Sequence, residues 1–111
     1  MNIKFCYLYR DGANYKNYNE IIFSNPKLIS LLEIEKLIRE KLIDDKWFYS
    51  KEWNVPDIHF KEFAYDSEVD VDWHEFEAIE ETNEKALEQN SIENFLMLVN
   101  MTKISLLSIK C

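Results

Sequence analysis

Alternating acidic residues in one segment have the spacing of a calcium-binding loop. Asp or Glu stands at every second position from Asp66 to Asp72, and Glu77 is twelfth when Asp66 is counted first. An EF-hand loop uses oxygen ligands at such positions and ends on a bidentate Glu. Its sixth position must be Gly for a sharp turn, but here it is Val71. We therefore do not predict a specific calcium site.

Two histidines among carboxylates offer a second arrangement that could bind a metal. His59 and His74, with Asp57 and Asp72, would form a zinc or nuclease-type site if their strands were neighbours. Their spacing matches no strong ligand motif, and a histidine satisfied within the fold is the simpler interpretation. We predict no metal and no cofactor, and a metal-dependent enzyme built on these residues stays open as an alternative.

Residues suited to nucleophilic or phosphate chemistry are scarce. Gly12 is the only glycine, whereas phosphate-binding loops need several. Cys6 lies inside an apolar run, which is typical of a small buried hydrophobic residue. No serine has an adjacent histidine or a nucleophile-elbow sequence. We therefore predict that the protein is not an enzyme.

The negative charge of the chain is concentrated in one part. Residues 1–65 carry 10 Lys/Arg and 10 Asp/Glu, whereas residues 66–111 carry 3 Lys and 11 Asp/Glu, which accounts for the formal net charge of −8. Affinity for nucleic acid rests on Lys and Arg that neutralise phosphates, so direct binding to DNA or RNA is not expected. A dense negative field instead attracts a basic protein partner.

We predict that the acidic segment from Asp66 to Glu81 binds this partner. In an extended strand, residues two apart lie about 6.6–7 Å apart on one face, roughly the spacing of phosphates in an extended single strand of nucleic acid. A tryptophan within the segment would supply the aromatic anchor. A charge run that is only a solvated face remains the simpler alternative. The predicted partner-binding residues are Asp66, Glu68, Asp70, Asp72, Trp73, Glu75, Glu77, Glu80 and Glu81.

Strand patterns cover most of the chain outside two helices. Strands are predicted for residues 3–9, 19–24, 58–63 and 73–82, and residues 47–53 are ambiguous between a short strand and a helical turn. Gly12 and Asn14 suit positive φ in the first turn. In the last strand, alternation places one set of side chains on one face, namely His74, Phe76 and Ala78, and the other set opposite, namely Trp73, Glu75, Glu77 and Ile79.

Two helices are predicted from caps and apolar stripes. Ser30 and Glu33 form a capping box, and Ser91 precedes the second helix. The stripes contain Leu31, Ile34, Leu37, Ile38 and Leu42 in the first helix and Ile92, Phe95, Leu96 and Val99 in the second. The order β-β-α-β-β-α predicts a two-layer α+β fold, an antiparallel sheet of about four strands with two helices on one face. We expect a single domain over residues 1–111, in which the role of residues 101–111 stays open.

Cysteine usage and hydropathy predict the compartment. Two cysteines and no secretory signal fit a reducing cytoplasm. No apolar run approaches the roughly 18–20 residues that span a bilayer, so a membrane partner is not expected. The oligomeric state is not predicted.

Three segments together resemble a family of small, acidic bacterial proteins over residues 1 to about 98. They are Phe5–Lys16, Val55–Phe60 and Asp72–Glu77. More specifically, the chain resembles anti-CRISPR proteins that act on the type VI-B RNA-guided RNase. This resemblance implies that nuclease, with or without its guide RNA, as the partner. Anti-CRISPR proteins share no common fold, so it implies no catalytic residues.

The resulting prediction is a cytoplasmic binding protein that inhibits a nucleic-acid-processing enzyme, above all a CRISPR RNA-guided nuclease. It would dock the acidic segment from Asp66 to Glu81 on the basic nucleic-acid channel of that enzyme. Three alternatives stay open: an immunity or antitoxin-type protein for a basic nuclease toxin, a metal-dependent enzyme using His59 and His74, and a domain whose acidity only maintains solubility.

Overall fold

A computed structural model describes residues 1–11, 13–58, 73–87 and 90–101, which form a four-stranded antiparallel sheet and two helices. The strands lie in the order β2-β1-β4-β3. The chain order β-β-α-β-β-α and the α+β class confirm the prediction. The elements are β1 (Asn2–Arg10), β2 (Lys16–Phe23), α1 (Leu31–Arg39), β3 (Trp47–Phe48), β4 (His74–Thr82) and α2 (Ile92–Met101).

A tight turn joins β1 to β2. The Asp11 carboxylate accepts hydrogen bonds from the backbone N–H groups of Ala13, at 3.0 Å, and Tyr15, at 2.9 Å. Asn14 has a φ of 69°, as predicted, because its short polar side chain tolerates the left-handed region. Gly12 lies outside the described residues. The turn brings Arg10 opposite Lys16, so β2 begins three residues earlier than predicted.

The short strand β3 comes from residues 47–53, for which the sequence leaves a short strand and a helical turn both open. Ile58 lies outside any strand, and residues 59–63 lie outside the described part of the chain. Trp47 and Phe48 instead pair with Glu75 and His74 of β4. A turn at residues 44–45, both with positive φ, returns the chain from α1, and Ile43 N–H donates to the Trp47 carbonyl at 2.7 Å.

Both helices contribute to one core against the same face of the sheet, which we call the core face. Ser30 caps α1 by accepting a hydrogen bond from Glu33 N–H at 3.1 Å, as predicted. The predicted stripes are confirmed, since α1 buries Ile34 and Ile38, Leu42 just beyond it is buried, and α2 buries Ile92, Phe95, Leu96 and Val99. The sheet contributes Ile3, Phe5, Tyr7, Phe23, Phe48, Phe76 and Ile79.

A β-bulge in β4 changes which side chains of the strand lie on each face of the sheet. Tyr7 pairs with Phe76 and Cys6 pairs with Ala78, so Glu77 is the extra residue. His74, Phe76 and Ile79 therefore share the core side, whereas Ala78 lies on the opposite side, the outer face. The predicted alternation is wrong beyond Phe76, because uninterrupted alternation does not anticipate an inserted residue.

Candidate protein-interaction face

His74 is a core residue. Its side chain is 1 % exposed, and its ring lies 5.2 Å from the Tyr9 ring and 5.8 Å from the Tyr7 ring. The backbone N–H of Ile58 donates to His74 Nε2 at 3.0 Å, and Asp57 Oδ1 lies 3.4 Å from the same nitrogen. The lone pair of Nε2 is therefore engaged and cannot bind a metal without breaking this bond.

Two further residues of the alternative metal arrangement, His59 and Asp72, lie outside the described residues. Within residues 1–11, 13–58, 73–87 and 90–101, no three His, Cys, Asp or Glu side chains are grouped to hold a metal ion. The calcium-like spacing also falls outside this part of the chain, apart from Glu77.

Cys6 lies in the middle of β1, and its side chain is directed to the outer face. Burial is the largest cause, and together with the charges of Glu80, Glu20 and Glu77 it raises the pKa of the thiol to about 11. A thiol with this pKa is almost entirely protonated at pH 7 and is a poor nucleophile. The pKa of Cys6 therefore depends on the charges of the three carboxylates around it.

Glu75, which is predicted to bind the partner, is buried and paired within the sheet. It is 7 % exposed, and its carboxylate accepts hydrogen bonds from Arg10 Nε at 2.7 Å and Arg10 Nη2 at 3.2 Å. Lys46 Nζ lies 3.8 Å from the same carboxylate. Burial would raise the pKa of Glu75, but the hydrogen bonds and charge of Arg10, helped by Lys46, hold it below its ordinary value. Glu75 is therefore paired within the sheet, and little of its side chain is exposed to solvent.

Trp73 lies in an aromatic cluster beside β3. It is half-buried and stacks on Trp47, with ring centroids 5.1 Å apart, while the ring of Tyr49 lies 6.3 Å away. Lys46 Nζ lies 5.1 Å from the centroid of Trp47. The predicted anchor is thus a pre-ordered ring with part of its surface in solvent, as an interface anchor requires.

The remaining predicted residues divide between described and undescribed positions. Asp66, Glu68, Asp70 and Asp72 lie outside the described residues. Glu77, Glu80 and Glu81 are exposed, and none of them forms an ion pair within the described part of the chain. Glu80 lies opposite Lys4, on the outer face, whereas Glu81 lies opposite Ile3 and is directed to the other side of the strand.

Carboxylates from three segments converge on the outer face, and we call this group the acidic face: Glu20 of β2, Glu77 and Glu80 of β4, and Glu84, which follows β4. Lys4 lies among them, with Nζ 2.7 Å from Glu84 Oε2 and 3.8 Å from Glu20 Oε1. The hydrogen bond to Lys4 lowers the pKa of Glu84. Four carboxylates against one ammonium group give these five residues a formal charge of −3.

Sequence reasoning missed Glu20 and Glu84 because it treated the acids as one continuous segment. Glu20 is 57 positions before Glu77 in the chain. The alternation of Lys16, Tyr18 and Glu20 would have placed Glu20 on a solvent-facing side of the hairpin. Nothing in the sequence, however, identifies β4 as the second neighbour of β1.

Neither helix in the described ranges is long and apolar enough to cross a lipid bilayer. No protein-family model matches the chain, and neither a curated protein nor a solved structure matches it at a significant level. The acidic face and the aromatic cluster beside β3 are therefore the features from which we infer a function.

Proposed function

We propose that this protein is a small cytoplasmic binding protein that inhibits a nucleic-acid-processing enzyme by docking its acidic face on the basic nucleic-acid channel of that enzyme. It acts by binding and not by catalysis. The observation that carries the proposal is the convergence of Glu20, Glu77 and Glu80 from two strands around Cys6. The partner to test is an RNA-guided nuclease, and the type VI-B RNase is the first one to test.

The sheet presents these carboxylates at low entropic cost. β1 and β4 pair over most of their length, so the backbone beneath Glu77 and Glu80 is fixed before any partner binds. A preorganised row of anions loses less conformational freedom on binding than a flexible acidic tail. Such a row can take the place of nucleic-acid phosphates in contacts with Lys and Arg of the partner. The affinity of these contacts should depend steeply on salt.

The acidic residues 66–72 and Trp73 are also proposed to contact this partner, because the sequence predicts them as part of the same binding segment. Trp73 is the aromatic residue that would fill a pocket beside the charged contacts. Glu75 is left out, because Arg10 already neutralises it.

The test measures binding to the purified nuclease and inhibition of its target cleavage. Reversing two charges of the acidic face, Glu77→Lys with Glu80→Lys, should weaken binding at least about tenfold, since each close charge pair at an interface contributes on the order of 1.5 kcal/mol or more. The wild-type affinity should fall as salt is raised from about 0.05 M to 0.3 M, over which the Debye length shortens to less than about half. Asp70→Lys with Asp72→Lys tests the undescribed part of the segment in the same assay.

The matched control is Glu40→Lys with Glu52→Lys, two exposed positions away from the acidic face that produce the same change in net charge. This control should bind and inhibit like wild type. An equal loss in both double variants would show that only total charge matters, and no loss in either would refute docking through the acidic face. A small basic nuclease toxin belongs in the same panel, because selective inhibition of it would favour the immunity-type alternative.

A further inference from the structure

The outer edge of β2 is the second candidate surface on this molecule. Among the described residues, β2 is an edge strand of the sheet and pairs with β1. Ser24, immediately after β2, donates its N–H to the Asn90 carbonyl at 2.8 Å and accepts from Ile92 N–H at 2.9 Å, so its backbone groups are directed away from β1. Backbone groups of alternate residues in a strand are directed the same way. Those of Lys16, Tyr18, Glu20 and Ile22 are therefore directed to the outer edge.

In the described residues, no backbone group pairs with this edge between Lys16 and Ile22. An open groove of about 410 Å³ runs beside its second half, lined by residues that include Ile21, Phe23, Asn54, Pro56 and Leu87. The groove leaves space beside the second half of this edge, and Lys85 and Asn90 also line it. An edge of this length is a template for pairing with a further strand.

The charges along the edge indicate which strand fits. Lys16 and Glu20 are both exposed and stand two positions on either side of Tyr18, which is 57 % exposed. In an antiparallel pair with a second copy, centred on Tyr18, Lys16 of each copy comes opposite Glu20 of the other. Opposite charges directly across an antiparallel pair are stabilising, and like charges are destabilising. A register centred on Glu20 would instead oppose two carboxylates.

We propose that a second copy of this chain pairs with β2 edge to edge, in a two-fold arrangement centred on Tyr18, and so forms a homodimer with one continuous eight-stranded sheet. A two-fold axis makes the interface self-complementary, which is what the Lys16–Tyr18–Glu20 spacing provides. Tyr15, which is 63 % exposed, comes opposite Ile21 of the second copy in the same register and adds apolar contact beside the groove.

Charged side chains also protect the edges of monomeric sheets against pairing with another strand. A protective edge works best with a single sign of charge, since any antiparallel register that brings charged positions opposite each other then opposes like charges. The opposite signs at Lys16 and Glu20 remove that protection in the register centred on Tyr18.

The test is analytical ultracentrifugation of the full chain across a range of concentrations at low salt. Wild type should show a reversible monomer–dimer equilibrium. Lys16→Glu and Glu20→Lys, each alone, oppose like charges at two places and should raise the dimer Kd at least about tenfold. The double variant Lys16→Glu/Glu20→Lys restores both pairs with exchanged partners and should return the Kd to within about threefold of wild type.

Lys36→Glu is the matched control for Lys16→Glu, because it makes the same change in net charge at an exposed position of α1. It should leave the Kd unchanged, and far-UV circular dichroism should confirm that every variant is folded. A monomer at all concentrations, a dimer insensitive to both single reversals, or a failure of the double variant to recover would each overturn the proposal.

Discussion

Arg10 and Glu75 form an ion pair across neighbouring strands on the outer face of the sheet. Removing a carboxylate this buried from water is costly, and two hydrogen bonds from one guanidinium group offset the cost. The folded-state pKa of Glu75 is lowered, so the pair stabilises the fold fully above the unfolded-state pKa of about 4.3. That contribution is lost as the pH falls through the lower, folded-state pKa.

We therefore expect the effect of Glu75→Gln on stability to depend on pH. The substitution should lower the free energy of unfolding by about 1–2 kcal/mol at pH 7, because it replaces a charge-assisted pair. The difference from wild type should shrink as the pH falls below the unfolded-state pKa of about 4.3, where the unfolded chain binds the proton first, and should vanish below the lower, folded-state pKa. Urea denaturation between pH 7 and pH 3.5 measures it, with the exposed Glu52→Gln as control. A difference that stays constant over this range would contradict the assignment.

The Cys6 thiol gives a direct measure of the acidic face. Changing Glu20, Glu77 and Glu80 together to Gln should lower the pKa of Cys6 below about 11. It should remain above the ordinary value, because burial is the larger cause and is unchanged. The pH dependence of alkylation by iodoacetamide, in a Cys111→Ser background, reports this pKa.

The control for the Cys6 measurement changes three exposed acids elsewhere, Glu33, Glu40 and Glu52, to Gln. It alters net charge by the same amount and should leave the pKa of Cys6 nearly unchanged, since exposed charges farther than a Debye length are screened. Equal shifts in both triple variants would mean that the three carboxylates do not converge on Cys6.

At the scale of elements, a turn clamped by Asn25 sets where α1 begins. The buried Asn25 amide donates to the Ile29 carbonyl at 2.9 Å and accepts from Ile29 N–H at 3.0 Å. Leu28 within this turn has a φ of 53° and is 75 % exposed. The left-handed region costs a residue with a β-carbon about 1–2 kcal/mol relative to its preferred conformations. The exposed Leu28 side chain recovers little of this through burial.

We expect Leu28→Gly to raise the free energy of unfolding by about 0.5–1 kcal/mol, because glycine adopts positive φ without a steric penalty but loses more conformational entropy on folding. Leu28→Val should lower it, since a β-branched residue is least tolerated there. Thermal and urea unfolding of the two variants measures both changes. A destabilised Leu28→Gly variant would show that the side chain of Leu28 matters more than its backbone angle.

The bulge at Glu77 acts at the same scale. It lets both Phe76 and Ile79 reach the core while Glu77 and Glu80 stay in solvent. Strict alternation would have placed Ile79 on the same face as Glu77. One inserted residue thus allows β4 to serve the core and the acidic face together.

For the molecule as a whole, Phe5 connects the layers of the fold. Its ring is buried and lies 4.9 Å from the Phe95 ring of α2, 5.7 Å from Phe76 of β4 and 6.2 Å from Trp53. Aromatic pairs at such distances add to the stabilisation from buried area. The sheet, α2 and the segment after β3 therefore share one packing centre.

Phe5→Ala should lower the free energy of unfolding by about 3–5 kcal/mol, which is much of the stability of a domain of this size. Phe5→Leu should cost less, since it fills more of the space. Leu32→Ala, at a position that is 82 % exposed, should change stability by less than about 0.5 kcal/mol. Chemical denaturation of the three variants gives the comparison, and a small effect of Phe5→Ala would place the packing centre elsewhere.

The sequence by itself determined the local elements of this protein. The Ser30 cap, the apolar stripes of α1 and α2 and the first hairpin all follow from contacts within a few positions of each other, and the structure confirms them. The class and the β-β-α-β-β-α order follow from those elements, and the structure decides in favour of a strand at Trp47–Phe48, where the sequence leaves a helical turn open as well.

Only the tertiary structure decided which carboxylates share a surface. Glu20 meets Glu77 and Glu80 because β1 pairs with both β2 and β4, and such pairing between distant segments leaves no mark in local periodicity. The same long-range pairing placed Arg10 over Glu75, so this acid is already paired within the sheet. Negative charge is thus a property of the sequence, whereas its arrangement into an acidic face is a property of the sheet.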